Sequence, residues 1–450
     1  MSLSRRDFLA LLGASALTGV MPVRSAFAGA QPHVVVIGGG VGGATAAKYL
    51  RIFDPNLKVT VIEKNPVYLR PYGSSEVVTG HIGMQDLEVR YDTLKDKYGV
   101  DFIIDEVTGF DPDKRSVQLK GGRSVRYDKL VVSPGVELLY DKLEGYSRAI
   151  ADSKVPSGWI PGQQTQLLAD QLKAMPKGGT FLMVAPPNPY RCPPGPYERP
   201  ALVAEWLQKH NPTAKVIITD PKDKFVTDQT MMLGWNRLYG FDIPKPFLEG
   251  MPDSVEVKQH GKPGILEWIP AADGGTPLSL DVANMSVKTG NGTIKADVIN
   301  IVPAMRAGKI ASVMGLTDEK GWCPNDRKTF ESSIHPHVHV IGDACHADAM
   351  PKSGFSANTQ AKSAARAIVE LLAGREAPVP QWENTCYALA GSDYGLYVAD
   401  VFELLQADNK ISRVGKFNRY LKLDATPAQI RMGAVYQQAW LKSFTEDCFA

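Results

Sequence analysis

The chain has 450 residues, of which 44% are hydrophobic and 22% are charged, and its formal net charge is +2 at pH 7. A chain of this length exceeds what one hydrophobic core usually supports, so the sequence predicts two or three domains. The balanced charge, without a Lys/Arg stripe interleaved with aromatic residues, excludes a nucleic-acid-binding protein.

The N-terminus has the pattern of a twin-arginine export signal. Arg5 and Arg6 precede a short apolar stretch at residues 10–20, and residues 26–28 (AFA) offer a cleavage site between small residues. The apolar stretch is too short to span a bilayer, and no other segment reaches 18 uninterrupted apolar residues. We therefore predict cleavage after Ala28 and a periplasmic protein without stable insertion into the membrane.

A glycine-rich turn follows the first predicted strand. Residues 33–37 form an apolar run typical of a buried strand, and Gly38, Gly40 and Gly43 then give the spacing GxGxxG at the start of a helical segment. Such glycines permit a tight turn, a close approach of the backbone to a pyrophosphate, and tight packing of helix on strand. Glu63 ends the next predicted strand, where its carboxylate is suited to the two hydroxyls of a ribose. These features predict a dinucleotide site that disfavours a 2′-phosphate.

Two later strands indicate FAD as the bound nucleotide. The first, residues 129–132, runs into a turn that contains Ser133 and Gly135, and the second, residues 337–341, runs into a Gly-Asp pair that ends at Asp343. This order resembles that of the two-domain FAD oxidoreductases. The resemblance implies that Asp343 contacts the ribityl chain of FAD, and we assign Ser133 and Gly135 to the same site.

The order of these motifs predicts an α/β fold with two Rossmann-like dinucleotide-binding domains, similar to glutathione reductase, and a C-terminal interface domain. In the inserted second domain, the apolar strand 180–185 enters the proline-rich stretch 186–196 where a second GxGxxG would be expected. Proline provides no N–H donor and should prevent a phosphate-binding turn followed by a helix, so we predict that this domain has lost its NAD(P) site. The predicted boundaries are 1–28 for the signal peptide, 29–150 and 299–372 for the FAD-binding domain, 151–298 for the second domain and 373–450 for the interface domain.

Two of the five cysteines fall where the chain is expected to approach the flavin. Cys192 lies in the position of the missing phosphate loop, and Cys323 precedes the strand that leads to Asp343. Each of them can instead be a buried structural cysteine, which is the more common situation for a cysteine. Because the sequence contains no CxxC or CxxCH motif, the chain itself is expected to bind neither a metal ion nor a covalent haem.

Several runs resemble the flavoprotein subunit of flavocytochrome c sulfide dehydrogenase, over nearly the whole mature chain. They are residues 192–199 (CPPGPYER), 321–324 (GWCP), 329–332 (TFES), 339–344 (HVIGDA), 350–354 (MPKSG) and 384–387 (NTCY). The resemblance implies an FAD-dependent sulfide:cytochrome c oxidoreductase with a redox-active disulfide between Cys192 and Cys323. It also implies a heterodimer with a c-type cytochrome subunit, which carries the haem.

One functional position departs from the pattern of that family. Several members attach FAD covalently through a cysteine shortly after the second strand, whereas Pro71 occupies that position here and no cysteine precedes Cys192. We therefore expect FAD to be bound non-covalently.

The expected reaction begins with attack of sulfide on the disulfide, which leaves a persulfide on Cys192 and a thiolate on Cys323, on the flavin side. Glu198 is assigned to proton transfer near these sulfurs, with a solvated loop carboxylate as the alternative. Lys352 is assigned to stabilisation of the anionic reduced flavin, with a surface lysine as the alternative.

Three other functions fit parts of the sequence. A sulfide:quinone oxidoreductase shares the cysteine chemistry but passes electrons to a membrane quinone. A non-catalytic flavoprotein would serve a cytochrome as a scaffold. A pyridine-nucleotide disulfide reductase is disfavoured by the missing second phosphate loop.

Overall fold

The FAD motifs lie on a five-stranded parallel sheet, which we call the nucleotide sheet. The computed structural model describes residues 31–450, so the predicted export signal lies outside the described residues. In spatial order the strands of the nucleotide sheet are Val338–Val340, Lys129–Val132, His33–Ile37, Lys58–Glu63 and Asp101–Ile104. All neighbouring strands are parallel, and the central ones are buried on both faces, as expected for a parallel sheet covered by helices.

The helix Val41–Phe53, which we call the glycine-loop helix, packs against the long helix Gly354–Leu372. The buried faces of both helices are lined by alanines, namely Ala44, Ala46, Ala47, Ala361, Ala364 and Ala365. Short side chains allow the two helix axes to approach closely. A Cβ atom added at Gly354 would lie 4.0 Å from the Val41 side chain, so the starts of the two helices lie side by side.

A second parallel sheet, the inserted sheet, is formed between the FAD motifs. In spatial order its strands are Leu266–Ile269, Lys215–Thr219, Thr180–Val184 and Val298–Ile301, all parallel to their neighbours. The prolines were expected to prevent a phosphate-binding turn followed by a helix N-terminus, but a helix N-terminus is present, because the helix Gly195–His210, which we call the cysteine-loop helix, begins in this stretch. Pro196 lies in its first turn, where a missing N–H is tolerated. Residues 185–194 separate this helix from the preceding strand, so the connection differs from a tight phosphate loop.

Residues 381–450 form an antiparallel sheet that packs against a helix. Its strands are Gln381–Gly391, Tyr394–Leu405, Lys410–Arg413 and Arg419–Tyr420. The C-terminal helix, Pro427–Phe449, starts with a capping box in which Thr426 and Gln429 exchange side chain to backbone hydrogen bonds. A Cβ atom at Gly395 would lie 2.1 Å from the backbone nitrogen of Ala434, so this glycine allows the helix to touch the sheet.

Smaller elements complete the described chain. The remaining strands are the pair Tyr68–Leu69 and Glu88–Val89, the pair Val136–Leu139 and Ala304–Ala307, the sheet Val107–Asp111, Ser116–Leu119 and Ser124–Arg126, and the sheet Pro277–Asp281, Ser286–Thr289 and Gly292–Lys295. The remaining α-helices are Ser74–Val78, Asp92–Asp96, Arg148–Ser153, Gln163–Ala174, Asp228–Tyr239, Lys245–Leu248 and Lys309–Val313. The 3₁₀ helices are Met84–Leu87, Tyr140–Lys142, Ala271–Asp273, Gly342–Ala344, Gln406–Asp408 and Gly415–Phe417.

The predicted α/β fold class with Rossmann-like domains is confirmed by the two parallel sheets. Within residues 31–450, no helix is both long and apolar enough to cross a bilayer.

Candidate active site

The glycine loop joins the strand His33–Ile37 to the glycine-loop helix, and steric contacts require its glycines. Gly38 has φ +96°, and a Cβ atom there would lie 2.4 Å from the carbonyl oxygen of Ser133. A Cβ atom at Gly43 would lie 1.8 Å from the carbonyl oxygen of Gly38. Gly40 is the N-cap and has no side chain to accept from the first-turn N–H groups. Those donors are therefore available to a pyrophosphate.

The other predicted nucleotide residues lie around this loop. Glu63 Oε2 accepts a hydrogen bond of 2.7 Å from the backbone N–H of Gly39. The Ser133 hydroxyl oxygen lies 2.5 Å from the position that a Cβ atom of Gly42 would take. Gly135 has φ +63°, so it forms the turn that follows Ser133. Glu63 and Ser133 thus contact the glycine loop, whereas Gly135 shapes the neighbouring turn.

Asp343 presents a buried acceptor atom without a partner. It follows the strand Val338–Val340, and within the described chain its Oδ1 atom makes no hydrogen bond although it is buried. Burial raises the pKa of Asp343, while the charges of Arg191 and Lys352 oppose that shift. A buried carboxyl oxygen needs a hydrogen-bond donor to offset its desolvation. The ribityl hydroxyls of FAD supply such donors, so the residues present fit this cofactor.

Lys352 connects the turn that contains Asp343 to the segment that contains Cys192. Its ammonium group donates to the carbonyl oxygens of Asp343 at 2.7 Å and Cys345 at 3.1 Å, and lies 3.8 Å above the Trp322 ring. Burial lowers the pKa of Lys352. The backbone carbonyl oxygen of Lys352 accepts a hydrogen bond of 2.9 Å from the Cys192 N–H. Lys352 is therefore half-buried and makes hydrogen bonds to both the Cys192 segment and the FAD site. The alternative interpretation, a surface lysine, does not describe it.

A cavity of about 130 Å³, which we call the redox cavity, lies at the start of the cysteine-loop helix. Cys192, Glu198 and Cys386 line it, together with Pro71, the position at which the resemblance places the flavin. Cys192 has φ +63°, a left-handed conformation that is uncommon outside glycine. A Cβ atom at Gly195 would lie 3.0 Å from the Cys192 sulfur, so this glycine leaves room for the thiol.

Cys386 is the second cysteine of the redox cavity, and no role was predicted for it from the sequence. It lies half-buried in the strand Gln381–Gly391. A negative charge on Cys386 contributes to the raised pKa of Cys192, as expected for a close neighbour. The signal that could have identified it is the run 384–387, which was recognised as similar to the sulfide dehydrogenase family.

Cys323 lies elsewhere, in the hydrophobic core. It is fully buried, and its backbone forms a parallel bridge with Cys345, in which the Cys323 N–H donates to the carbonyl oxygen of Ala344 at 3.0 Å. Cys323 does not line the redox cavity. This placement favours the alternative interpretation of Cys323 as a structural cysteine, because packed core separates its side chain from the cavity that Cys192 faces. All five cysteines are free thiols in this structure.

Glu198 lies in the first turn of the cysteine-loop helix, next to a second carboxyl group. Its Oε1 atom accepts from the Leu389 N–H at 2.8 Å. Burial and the charge of Glu76 raise the pKa of Glu198 to about 8. The pKa of the Cys192 thiol is raised to about 12, because the walls of the cavity desolvate its thiolate although the residue is exposed to the cavity, and because Glu198 adds a like charge. A carboxyl group that exchanges its proton near neutral pH beside a thiol is suited to acid–base work.

The parallel sheets, the glycine loop and the unpartnered Asp343 carboxyl group define an FAD-binding oxidoreductase with two dinucleotide-binding domains. Three family models match the chain: the pyridine nucleotide-disulphide oxidoreductase domain at residues 32–155, the central region of the sulfide dehydrogenase [flavocytochrome c] flavoprotein chain at 165–303, and the flavin-binding region of flavocytochrome c sulphide dehydrogenase at 378–449. The chain belongs to the flavocytochrome c sulfide dehydrogenase flavoprotein family, whose members are FAD-dependent oxidoreductases acting on sulfide.

Individual relatives agree with this family. The sulfide dehydrogenase [flavocytochrome c] flavoprotein chain of Chlorobaculum thiosulfatiphilum is 53% identical over 37 residues, which are 8% of this chain and 77% of that sequence. The sulfide-quinone reductase of Aquifex aeolicus is 24% identical over 406 residues, covering 87% of this chain and 88% of that protein. The X-ray structure of the Aquifex aeolicus sulfide:quinone oxidoreductase has a TM-score of 0.66 at 17% identity and covers 92% of both chains, which shows a shared fold.

Proposed function

We propose that this chain oxidises sulfide at a disulfide formed by Cys192 and Cys386 and passes the electrons through FAD to a c-type cytochrome subunit. The observation that carries the proposal is that both cysteines line one cavity together with Pro71, on the side expected to face the flavin. Cys386 replaces Cys323 in the pair, because Cys323 is packed in the core.

In the proposed first step, HS⁻ attacks the sulfur of Cys386. A new sulfur–sulfur bond forms there, and the Cys192–Cys386 bond breaks with its electron pair left on Cys192. The products are a persulfide on Cys386 and a thiolate on Cys192, so charge and electrons balance. This assignment reverses the one expected from the sequence, which put the persulfide on Cys192.

The position of Cys192 supports its role as the leaving sulfur. Burial and the charge of Glu198 raise the pKa of Cys192, and the backbone N–H of Gly195, at the start of the cysteine-loop helix, opposes that shift and favours the thiolate. Re-forming the disulfide, with release of the sulfur atom and its proton, gives up two electrons, and accepting two electrons is the chemistry that FAD supplies when bound.

Anaerobic addition of sulfide to the purified holoprotein tests the proposal. The visible absorbance of the oxidised flavin should disappear within seconds of mixing. A flavin spectrum that sulfide leaves unchanged would contradict the proposal and favour a non-catalytic flavoprotein instead.

We also propose that FAD is bound non-covalently, because Pro71 lines the redox cavity at the position of the flavin-linking cysteine. Proline has no nucleophilic side chain with which to form such a bond. Acid precipitation of the holoprotein should therefore release all of the FAD into the supernatant, where its absorbance is measured. A yellow pellet after washing would contradict this prediction.

A one-electron carrier is the proposed acceptor, and the C-terminal helix supports it. Trp440 lines the redox cavity on this helix, and the side chains of Val435 and Tyr436, on the preceding turn, are each 53% exposed. Aromatic and apolar groups that lead from a cavity to the surface are suited to an electron-transfer interface. The export signal expected at residues 4–28 would bring the protein to the compartment that holds c-type cytochromes, and recovery of the protein from the periplasmic fraction would test this location.

Sulfide-dependent reduction of a c-type cytochrome should exceed that of a soluble ubiquinone analogue by at least about tenfold, since the interface is expected to admit a protein carrier. The two rates are compared by absorbance at equal concentrations of enzyme and acceptor. A faster reaction with the quinone would identify a sulfide:quinone oxidoreductase, the function of the Aquifex aeolicus relative.

A further inference from the structure

Cys386 lies on the wall between two cavities. One is the redox cavity that it shares with Cys192. The other, which we call the side cavity, has a volume of about 240 Å³ and is lined by Cys386, Tyr387, Arg413 and Pro193, among others. Cys192 lines only the redox cavity of these two. A small reagent in the side cavity can therefore reach the Cys386 sulfur first.

The side cavity adjoins a larger cleft of about 940 Å³, which we call the outer cleft. Pro193, Val226, Pro351 and Arg413 line both of them, so they form the neck between the two spaces. Val226 is 44% exposed, which brings the neck close to bulk solvent. The shared lining residues place the side cavity between the outer cleft and Cys386, which also lines the redox cavity.

Positive charges dominate the outer cleft and the neck. Lys224 and Lys320 line the outer cleft and are exposed, and neither forms an ion pair within the part of the chain that the structure describes. Arg413 stands at the neck with a side chain that is 44% exposed, and its Nε atom lies 3.4 Å from Oδ1 of the buried Asp400. The guanidinium of Arg413 has five N–H donors, and the carboxylate of Asp400 does not use all of them. An incoming anion can therefore bind to the remaining donors.

The carboxyl groups that line the outer cleft, Asp343 and Asp348, already interact with other groups. Asp348 forms an ion pair of 2.9 Å with Arg327. Asp343 is assigned to the FAD site, and burial raises its pKa, which reduces its negative charge, while Arg191 and Lys352 oppose that shift. The unpaired charges that remain in the outer cleft are those of lysines. An anion is therefore favoured in the outer cleft, and it is drawn toward the neck.

The side cavity, with a volume of about 240 Å³, exceeds the needs of a single HS⁻ ion. When a second HS⁻ attacks the outer sulfur of the Cys386 persulfide, a sulfur–sulfur bond forms between them and the bond to Cys386 breaks with its electron pair left on Cys386. The product leaves as a hydrodisulfide anion after loss of a proton, and the two cysteine thiolates re-form the disulfide and give up the two electrons. A released anion that attacks the next persulfide grows by one sulfur, and such an anionic chain needs both length and a cationic environment. The aromatic rings of Tyr190, Phe225 and Trp322 line the outer cleft beside the lysines and provide apolar surface for such a chain. The redox cavity offers no comparable room, because its volume is about 130 Å³ and the flavin is expected at its Pro71 wall.

We propose that the side cavity and the outer cleft form an anion passage, through which hydrosulfide enters and an anionic polysulfide chain leaves, with Arg413 as the specificity-determining residue at the neck. This inference rests on the proposed function, since it assumes that Cys386 is the sulfur that sulfide attacks. The outer cleft shares Asp343 and Lys352 with the FAD site, whereas the side cavity is lined by neither of them and by no residue of the glycine loop. The neck can therefore be altered without changing a residue assigned to FAD.

Two variants test the passage. Arg413→Glu reverses the charge at the neck, and Val226→Trp fills the neck with a large ring. Each should lower the second-order rate constant for flavin bleaching by sulfide at least about tenfold at low ionic strength, measured anaerobically by stopped flow. Raising the salt concentration should bring the bleaching rate constant of Arg413→Glu closer to that of the wild type, because salt screens the charge. The lowered rate constant of Val226→Trp should not change with salt.

The matched controls lie outside the passage. Lys410→Glu makes the same charge reversal on the same strand, and Val379→Trp adds the same ring at an exposed valine, 51% exposed. Both should bleach at the wild-type rate. FAD content and the rate of reduction by dithionite should be normal in all four variants, which excludes misfolding as the cause of slow bleaching.

The outcomes separate the passage from the proposed function. Normal second-order bleaching of Arg413→Glu and Val226→Trp, with a wild type that sulfide reduces, would overturn the passage and leave the proposed function standing. A wild type that sulfide does not reduce would overturn both. Slow bleaching of the two neck variants alone, together with fewer sulfane sulfur atoms retained per enzyme by cyanolysis, is the result that the passage requires.

Discussion

Replacing Cys192 with serine should abolish reduction of the flavin by sulfide, with a loss of at least about a thousandfold in the rate constant. Cys386→Ser should have the same effect, because neither variant can form the disulfide that sulfide attacks. The serine hydroxyl is close in size to a thiol, so FAD content and thermal stability should change little. Anaerobic stopped-flow absorbance of the flavin measures the rate, and dithionite reduction verifies that the bound FAD remains reducible.

Cys323→Ser and Cys448→Ser are the matched controls, since both cysteines are buried and neither lines the redox cavity. In each control variant, sulfide should bleach the flavin with a rate constant within a few fold of the wild-type value. If Cys323→Ser abolished bleaching while Cys386→Ser bleached normally, the pair inferred from the sequence would be correct and our assignment of Cys386 would be wrong.

Glu198 should set the alkaline limit of the reaction. Its pKa is raised to about 8, so the carboxyl group is mainly neutral below pH 8 and ionised above it. The ionised form adds a negative charge beside Cys192 and raises the pKa of that thiol, which opposes the thiolate left when the disulfide opens. The rate of flavin bleaching should therefore fall as pH rises above about 8, although the supply of HS⁻ does not fall.

Glu198→Gln should remove this decline, because the amide is neutral at every pH and can still accept the hydrogen bond from the Leu389 N–H. At pH 10 the variant should bleach about tenfold faster than the wild type, the factor that corresponds to a shift of one pKa unit. Glu198→Asp, which restores an ionisable group, should restore the decline. A Glu198→Gln rate that is about a hundredfold low at every pH would show instead that the ionised carboxylate is needed as a proton acceptor.

The FAD site was predictable from sequence because its determinants are local. The positive φ of Gly38 and the contact between Gly43 and the Gly38 carbonyl oxygen depend on a few adjacent residues, and strand–turn–helix periodicity identifies them. The position of Asp343 shortly after a short buried strand was predictable for the same reason. The start of the cysteine-loop helix was missed, because prolines in the first turn were taken to prevent a helix that they in fact permit.

The lining of the redox cavity depends on contacts between segments that are far apart in the chain. The strand Gln381–Gly391 packs against the cysteine-loop helix, and Glu198 on that helix accepts a hydrogen bond from the Leu389 N–H on that strand. These contacts bring Cys386 to the cavity of Cys192. No periodicity or spacing in the sequence records such a contact, which is why the sequence favoured Cys323, nearer to the FAD motifs, as the partner.

The sequence by itself determined the fold class, the glycine loop and the acidic residues of the FAD site, and the likeness to sulfide dehydrogenases, since these rest on local backbone conformation and on short runs of residues. Only the tertiary structure showed which cysteine shares a cavity with Cys192, where Glu198 acquires its raised pKa, and which cationic residues line the cavities near Cys386. The physical reason is that desolvation and proximity arise when the helix, the strand and the FAD turn pack together, and each segment alone contains neither.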